Sequence, residues 1–412
     1  MEYRIEMLWS GLILTAVLVI FTMGKSPLFR VDRAGAAIIG AVATVGTGVL
    51  SFKEATLAVD FKTIIILFSM MIVVANLKLA GFFELVGEWV CQRVTTKKQL
   101  LLSVIIASGI MSALAINDII CLLFTPVVLL ICKKAQCNPI PHLLGVAMAS
   151  NIGSAATLLG NPQNILVASL SGMSFASYFL IASPVVILGL FTVYGVIVYF
   201  HPIELEGNFF APATSQSNVH GYLIIKSLVV LALILIGYIS GYDLALVSCL
   251  GGATLLITRR IKPNKVYSSI DFNLLIIFIG LFIIVAGVEV SGLMSYILDK
   301  LSFEGFNNMG LFAAMTLVLS NIVSNVPAVL LMKFLMPIEN ADYWWTGLAL
   351  FSTLAGNLTI TGSIANLIVV EIAKRDNVSV TARDYIKIGF PLTIVTIIVG
   401  IVWLHFVAYI QS

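Results

Sequence analysis

The sequence predicts an all-α, polytopic membrane protein with an inverted-topology repeat, and three observations support this fold class. First, 60% of the 412 residues are hydrophobic and only 10% are charged, whereas soluble domains carry roughly 25% charged residues. Second, apolar runs recur at about the 20-residue length that a helix needs to cross a bilayer. Third, polar motifs in the second half of the chain resemble those of the first half and follow in the same order.

Eight uninterrupted apolar runs predict transmembrane helices. They cover residues 5–23, 34–50, 62–79, 176–200, 221–239, 243–258, 272–290 and 388–408. The first run lacks a basic flank and a cleavage site of small residues, so we expect it to remain as a span and not to be removed as a signal peptide.

Four more apolar runs are interrupted by polar residues. Lys and Arg flank both ends of 99–132, so this run is expected to form a re-entrant hairpin from the cytoplasmic side. Asn117–Asp118 interrupt it near the tip, and Pro126 interrupts it again. The run 309–336 is expected to form a matching hairpin from the opposite face.

The runs 142–170 and 344–370 are predicted to be transmembrane helices broken near their middle, because Asn, Gly, Ser and Thr replace apolar residues there. The layout then has about eleven transmembrane helices and two hairpins, with both termini outside. The positive charges agree with this orientation, since Lys and Arg concentrate on cytoplasmic segments. Only five of the 23 Lys and Arg residues fall on outer segments, namely Arg4, Lys53, Lys62, Lys300 and Lys333.

The repeat is read from three pairs of segments. Residues 66–83 resemble 277–294, 112–130 resemble 320–335, and 149–167 resemble 355–369. Matched positions in these pairs are Asn117 with Asn325, Gly160 with Gly362, and Asn164 with Asn366, whereas Asn151 meets Asn357 only if four residues are deleted. We therefore expect a first repeat over 1–203, a hydrophilic linker over 204–220 and a second repeat over 221–412, the architecture of many alternating-access transporters.

The motifs SALAIND, NIGSAATLLGNPQNI and SNIVSNVP resemble the ion transporter superfamily, in particular its arsenite permease and NhaD-like branch. That branch is distantly related to the divalent anion/sodium symporters. The resemblance implies one re-entrant hairpin and one unwound helix per repeat, with substrate and coupling ion meeting where hairpin tips and helix breaks converge. The symporters carry Ser-Asn-Thr at both tips. This chain has Ile-Asn-Asp (116–118) and Ser-Asn-Val (324–326) instead, which disfavours a dicarboxylate substrate.

Asp118 is the strongest single candidate for a functional residue. A carboxylate at membrane depth is costly, and such residues usually bind ions or carry protons. We expect Asp118 to couple transport to a proton or to sodium. The alternative is an N-cap role on the second arm of its hairpin. Asn117 and Asn325, at the two tips, offer carbonyl oxygens to a cation and amide donors to a substrate, and turn formation is their alternative role.

The predicted binding residues are polar side chains at the tips and breaks. The substrate-binding set is Asn117, Asn151, Thr157, Asn161, Asn164, Ser324, Asn325, Asn357, Thr359, Thr361, Ser363 and Asn366. The ion-coupling set is Asn117, Asp118, Gly160, Asn325 and Gly362. Interhelical hydrogen bonding is the alternative role of the residues in the breaks. No Lys or Arg lies in the four polar motifs, so a neutral oxyacid, or a small anion moving with a proton, fits more easily than a multivalent anion.

The function that these residues favour is secondary active transport of a small inorganic oxyacid or anion, arsenite-like, coupled to protons or sodium. A sodium–proton antiporter and a cation-coupled di- or tricarboxylate symporter remain open. A passive anion channel is the alternative from another class, although it requires a continuous file of polar residues. No P-loop and no HExxH or GxSxG motif occurs, so we expect neither ATP-driven transport nor an enzyme.

Cysteine and histidine usage predicts no metal site. The five Cys residues have no paired spacing and are expected to pack as small buried hydrophobes, and the four His residues are dispersed. No cofactor is expected besides the coupling ion, H⁺ or Na⁺. The expected partners are a small-molecule or ion substrate and the lipid bilayer, with no nucleic acid and with a homodimer left open. The expected location is a bacterial inner membrane.

Overall fold

The computed structural model describes residues 2–26, 28–210, 219–300, 306–337 and 339–411. Twenty α-helices and two short 3-10 turns make up the regular structure of these ranges, apart from two isolated β-bridges. The all-α prediction is thus confirmed. The predicted linker 204–220 falls partly on residues 211–218, which lie outside the described ranges.

The chain folds into two consecutive sets of ten helices. The first set is α1 (Glu2–Met23), α2 (Arg33–Gly46), α3 (Phe52–Ala58), α4 (Phe61–Leu79), α5 (Phe82–Cys91), α6 (Lys97–Leu114), α7 (Asn117–Lys134), α8 (Ile140–Ser154), α9 (Pro162–Ser171) and α10 (Phe175–Phe200). The second set is α11 (Gly221–Ile239), α12 (Leu244–Leu256), α13 (Pro263–Tyr267), α14 (Phe272–Val290), α15 (Leu293–Lys300), α16 (Met309–Val323), α17 (Asn325–Met332), α18 (Ala341–Ala355), α19 (Ile364–Arg375) and α20 (Ala382–Gln411).

The two sets match helix by helix because the same residues start the same helices. Asp60 caps α4 as Asp271 caps α14, since each side chain accepts a backbone N–H of the first turn. Asp32 and Asp243 cap α2 and α12 in the same way. By capping the first turn, these aspartates determine where each helix begins, although the helices themselves consist mainly of apolar residues.

Seven described helices are long and apolar enough to cross a membrane unbroken: α1, α4, α6, α10, α11, α14 and α20. Of these, α6 is the first arm of a hairpin, because only two residues separate it from α7. Adding the shorter apolar helices α2 and α12 and the broken pairs α8–α9 and α18–α19 gives ten crossings and two hairpins. This count is close to the eleven or so that the sequence predicts, and an even number keeps both termini on one face.

The helices form two bundles, and each bundle contains helices of both repeats. In the first, α2 packs on α14 and α12 packs on α4, with α1 and α11 beside them. In the second, the hairpins and the broken helices pack together, and α10 and α20 flank them. The polar motifs all lie in this second bundle, which we call the core bundle, and the first bundle is the scaffold.

The structure differs from the sequence prediction at one proline. Pro126 was expected to interrupt the first hairpin, yet α7 continues through it from Asn117 to Lys134. A proline removes one backbone hydrogen bond from a helix, and the contacts of α7 with α6, α8 and α19 keep the helix intact. By contrast, Pro327 lies in the first turn of α17, where a backbone N–H has no intrahelical partner in any case.

Candidate functional site

The hairpin tips and the helix breaks meet inside the core bundle. The first tip, between α6 and α7, lies against the break that separates α8 from α9. The second tip, between α16 and α17, lies against the break that separates α18 from α19. Contacts of α7 with α19 and of α9 with α17 and α18 then join the two repeats. We call the polar side chains of these four segments the central site.

Asn151, in α8, is the first of two hubs in the central site. Its Oδ1 accepts hydrogen bonds from Asn117 Nδ2 at 2.9 Å and from Ser363 Oγ at 3.0 Å. Its Nδ2 donates to Asn357 Oδ1 at 3.0 Å and to Asn366 Oδ1 at 2.9 Å. Asn151 therefore connects the first hairpin tip to the break of the opposite repeat.

Thr353, in α18, is the second hub and is related to Asn151 by the repeat. Its Oγ1 accepts from Asn161 Nδ2 at 2.9 Å, and its one proton is shared between Asn164 Oδ1 at 3.1 Å and the Ala349 carbonyl oxygen at 2.9 Å. Gln163 Nε2 lies at 3.4 Å from Thr353 Oγ1. Each repeat thus contributes one side chain that bonds to the break of the other repeat, so the two breaks are held together by buried hydrogen bonds.

Within each break, an equivalent asparagine closes the unwound backbone. Asn164 Nδ2 donates to the carbonyl oxygens of Thr157 at 2.9 Å and Ser154 at 3.4 Å. Asn366 Nδ2 does the same with the carbonyls of Thr359 and Gly356, at 3.1 and 2.7 Å. These side chains satisfy carbonyls that the interrupted helix leaves without partners, which is a requirement at membrane depth.

Each hairpin tip contacts a glycine carbonyl in the break of its own repeat. The Asn117 backbone N–H donates to the Gly160 carbonyl at 2.9 Å. The Asn325 amide, oriented by its hydrogen-bond partners, donates to the Gly362 carbonyl at 3.3 Å and accepts from Gln163 Nε2 at 3.1 Å. A side chain at Gly160 would displace the backbone, because an added Cβ would lie 2.1 Å from the Ser154 carbonyl oxygen.

Asp118 lies in the first turn of α7, but it does not cap that helix. The N-cap position is Ile116, so the N-cap role considered from the sequence is not the one that the structure gives Asp118. The backbone N–H of Ala365, in the first turn of α19, is instead an electrostatic neighbour of its carboxylate, and this N–H donates to Ser363 Oγ at 3.2 Å. Arg33 and Asp271 are its charged neighbours. The carboxylate therefore occupies the positive end of a half-helix from the opposite repeat.

Several buried acceptors of the central region have no partner within the described residues. They are Asn117 Oδ1 and the hydroxyls of Ser112 and Ser320, which occupy equivalent places near the ends of α6 and α16. A buried oxygen without a hydrogen-bond donor calls for an explanation such as a bound ion or water. The oxygen atoms of hydroxyl and amide groups are suitable ligands for a hard cation.

The two breaks differ in exposure although they are related by the repeat. Residues 155–164 of the first break are all buried. In the second break Thr361 is exposed, and Thr359 and Ile360 are half-buried. Thr361 Oγ1 contacts only Thr359 Oγ1, at 3.3 Å, among the hydrogen bonds of the described residues. The two breaks thus have the same hydrogen-bonding pattern, but side chains of the second break are more exposed than those of the first.

Most of the predicted binding residues enter the network of the central site, and two do not. Thr361 faces outward, and Ser324 makes no side-chain cap bond although its φ of 77° is unusual for a residue other than glycine. Two further residues of the site were not predicted from the sequence: Thr353, and Asn321, which accepts from Thr359 Oγ1 and donates to the Ala355 carbonyl, each at 3.0 Å. A constant offset between the breaks matches Asn151 with Thr353 and not with Asn357, so the repeat register was the available clue.

Comparison with known proteins agrees with this architecture. Residues 16–345 match the sequence profile described as citrate transporter. The 46 kDa membrane protein of Mycobacterium leprae is 30% identical, over 92% of this chain and 95% of its own. The silicon efflux transporter LSI3 of Oryza sativa subsp. japonica is 27% identical, over 91% of this chain and 93% of its own.

Among solved structures, the Alcanivorax borkumensis YdaH transporter, reported to have an unusual topology, matches with a TM-score of 0.57. The match covers 97% of each chain at 15% identity, so it concerns the fold alone. Together with the match to the family profile over most of the chain, these relatives identify this protein as a membrane transporter of the citrate transporter family, within the ion transporter superfamily.

Proposed function

We propose that this chain is a cation-coupled secondary transporter of a small inorganic oxyacid, arsenite-like or silicate-like, carried in its uncharged form. The composition of the central site supports this substrate class most directly. The side chains that form the two hubs and their partners are amides and hydroxyls, with no Lys or Arg among them. An uncharged oxyacid requires only hydrogen-bond donors and acceptors, which these side chains supply.

A multivalent anion is harder to accommodate in this site. Burying an ionised carboxylate without a paired charge is very costly. Helix N-termini attract anions, but the Asp118 carboxylate already occupies the N-terminus of α19. A di- or tricarboxylate therefore needs cations bound beside it. The family description makes citrate the second candidate, whereas the relative named as a silicon efflux transporter favours the oxyacid.

The coupling ion is assigned to the neighbourhood of the first hairpin tip. Asp118 supplies a negative charge, and Asn117 Oδ1 and the Gly160 carbonyl supply oxygens. The second hairpin has Val326 in place of Asp118, so a single carboxylate serves both repeats. Such a group either releases a proton or binds sodium, and both modes link an ion gradient to the movement of the core bundle relative to the scaffold.

The test is a flux assay with purified protein in liposomes. Arsenite, germanic acid as a tracer for silicic acid, citrate and sodium are supplied separately, with a proton gradient or a sodium gradient imposed in turn. We expect accumulation of an uncharged oxyacid above its equilibrium level under at least one gradient, and no accumulation of citrate. Gradient-driven citrate uptake would replace the oxyacid with a carboxylate. Flux that never exceeds equilibrium would identify a passive channel, and sodium–proton exchange without a second substrate would identify an antiporter.

A further inference from the structure

A second cluster of polar side chains lies away from the central site, where α7 ends and α8 begins. Cys132 is in the last turn of α7, Cys137 is in the connection, and His142 is in the first turn of α8. Their two sulfur atoms and one imidazole nitrogen all lie within 4.8 Å of one another, and all three side chains are buried. We call these residues the Cys-Cys-His cluster.

The sequence predicts that the cysteines pack as small buried hydrophobes and that the histidines are dispersed, whereas the structure brings Cys132, Cys137 and His142 together. The spacing is Cys-x4-Cys-x4-His, and its first part lies within the range found in structural zinc sites. The connection of residues 135–139 brings the three side chains together because it reverses the chain between α7 and α8, which pack on each other.

The imidazole of His142 is held in the arrangement that a metal ligand needs. Its Nδ1 lies 3.2 Å from the backbone carbonyl oxygen of Asn138, so the neutral ring donates its proton there. Metal-binding histidines usually donate their second nitrogen to such a carbonyl, which fixes the tautomer and the ring orientation. The other nitrogen, Nε2, is buried and has no hydrogen-bond partner within the described residues, and the backbone and the charge of Lys97 are electrostatic neighbours of the ring. The lone pair of Nε2 is therefore available to a cation.

The fold does not require this cluster. The second repeat has Trp344 at the position equivalent to His142, and the sequence contains no cysteine after Cys249. The matching junction of the second repeat therefore packs without a cysteine or a histidine at the equivalent positions.

We propose that Cys132, Cys137 and His142 bind a thiophilic divalent cation, with Zn²⁺ as the ion best suited to two thiolates and one imidazole. Both thiols lose their protons to solvent when the ion binds, and two thiolates neutralise its charge, as a buried site requires. The ion links the end of the first hairpin to the start of the broken helix. The site is separate from the central site, and the proposal does not depend on the substrate of transport.

The experiment measures metal binding to the full-length protein in detergent. The protein is purified with a reductant in metal-free buffer, exposed to Zn²⁺ and desalted, and bound zinc is quantified by elemental mass spectrometry. We expect one zinc per chain. With Co²⁺ as the probe, we expect the near-ultraviolet charge-transfer band that appears only when a thiolate coordinates cobalt.

Matched variants locate the ion. Cys132→Ser, Cys137→Ser and His142→Ala should each weaken zinc binding by at least about tenfold, since even the outer partners of metal ligands change affinity by that much. His142→Cys keeps a donor and should retain cobalt binding with a stronger charge-transfer band. Cys249→Ser, at an exposed cysteine, should bind as the wild type does.

Three results would overturn the proposal. The first is a wild-type protein that retains no zinc although its size-exclusion profile shows a folded monodisperse species. The second is an equal loss of zinc in Cys249→Ser. The third is a disulfide between Cys132 and Cys137 in the reduced preparation, detected by peptide mass spectrometry, because it would consume both sulfur ligands.

Discussion

Asn151 and Thr353 join helix breaks that lie about two hundred residues apart in sequence, which gives single side chains unusual weight in this molecule. The bonds of Asn151 reach four other side chains. Each partner is buried or nearly so, and each loses a hydrogen bond if Asn151 is removed. A buried polar group left without a partner costs about 1–3 kcal/mol. A substitution of Asn151 is therefore expected to lower the free energy of unfolding by the cost of several lost hydrogen bonds, not of one.

We predict that Asn151→Ala lowers the thermal unfolding midpoint of the solubilised protein and abolishes transport. The stability loss should be about 3 kcal/mol or more, because several buried groups lose their partner at once. Thr353→Val, which removes the other hub hydroxyl with little change in shape, should act in the same direction. Asn264→Ala, at an exposed asparagine of α13, is the control and should unfold at the wild-type temperature. An Asn151→Ala protein with unchanged stability would contradict the hub role.

Asp118 is the residue on which the proposed ion coupling depends. We predict that Asp118→Asn, which keeps shape and polarity but removes the charge, abolishes gradient-driven accumulation in liposomes. Exchange of labelled for unlabelled substrate should persist, since the hydrogen bonds of the hubs remain. Asp243→Asn is the matched control, because Asp243 is a carboxylate at the start of α12 that pairs with Lys62 at 3.3 Å, far from the hubs in the fold. Wild-type accumulation by Asp118→Asn would rule out the coupling role.

At the scale of helices, the backbones of α6 and α8 approach each other closely in the core bundle. A Cβ atom added to Gly153 would lie 2.2 Å from the carbonyl oxygen of Gly109. The atoms that this Cβ would meet belong to the backbone of α6, so no flexible side chain could move aside to make room. The hairpin arm and the first half of the broken helix can therefore pack this closely only with glycine at position 153.

We predict that Gly153→Ala forces α6 and α8 apart, lowers the unfolding temperature and impairs transport. Gly195→Ala is the control, because an added Cβ at that position of α10 meets no other atom within 4 Å. There the helix propensity of alanine should leave stability unchanged or raise it by about 0.5–1 kcal/mol. Thermal unfolding of the two variants side by side is the measurement. Equal behaviour of the two would contradict the packing argument.

At the scale of the whole molecule, the two breaks are unequally exposed, which is what we expect of one state of an alternating-access cycle. The second break is accessible at Thr361 while the first is closed. Asp118 has Arg33 and Asp271 as charged neighbours, and these start α2 and α14 on the face that the charge distribution assigns to the cytoplasm. We therefore expect the accessible side to be cytoplasmic.

Cysteine labelling tests this assignment. In a Cys249→Ser background, we predict that Thr361→Cys reacts with a membrane-impermeant maleimide from the cytoplasmic side. Leu159→Cys, at the equivalent place in the buried first break, should react far more slowly. The difference should invert when the opposite state is populated by an imposed gradient. Equal labelling of both positions from both sides would contradict an alternating-access state.

Much of this architecture was predictable from the sequence, because polar residues in apolar spans are costly and so reveal where hairpins and breaks occur. Asn117, Asn151 and Asn366 were identified for that reason. Thr353 was not, because a threonine in an apolar helix can bond its own backbone, as Thr353 does with the Ala349 carbonyl at 2.9 Å. The Cys-Cys-His cluster was missed because its three residues become neighbours only through the turn between α7 and α8.

The hydrogen bonds that cross between the repeats also have a consequence for folding during synthesis, because they form only when both repeats are present. When α8 and α9 have been synthesised, the amide of Asn151 has only Asn117 as a partner, since Asn357, Ser363 and Asn366 are not yet made. The polar side chains of the first repeat therefore lack these hydrogen-bond partners until α18 and α19 have entered the membrane. Neither repeat supplies all the side-chain partners of its own break, so we expect that half of this chain does not fold into a smaller transporter.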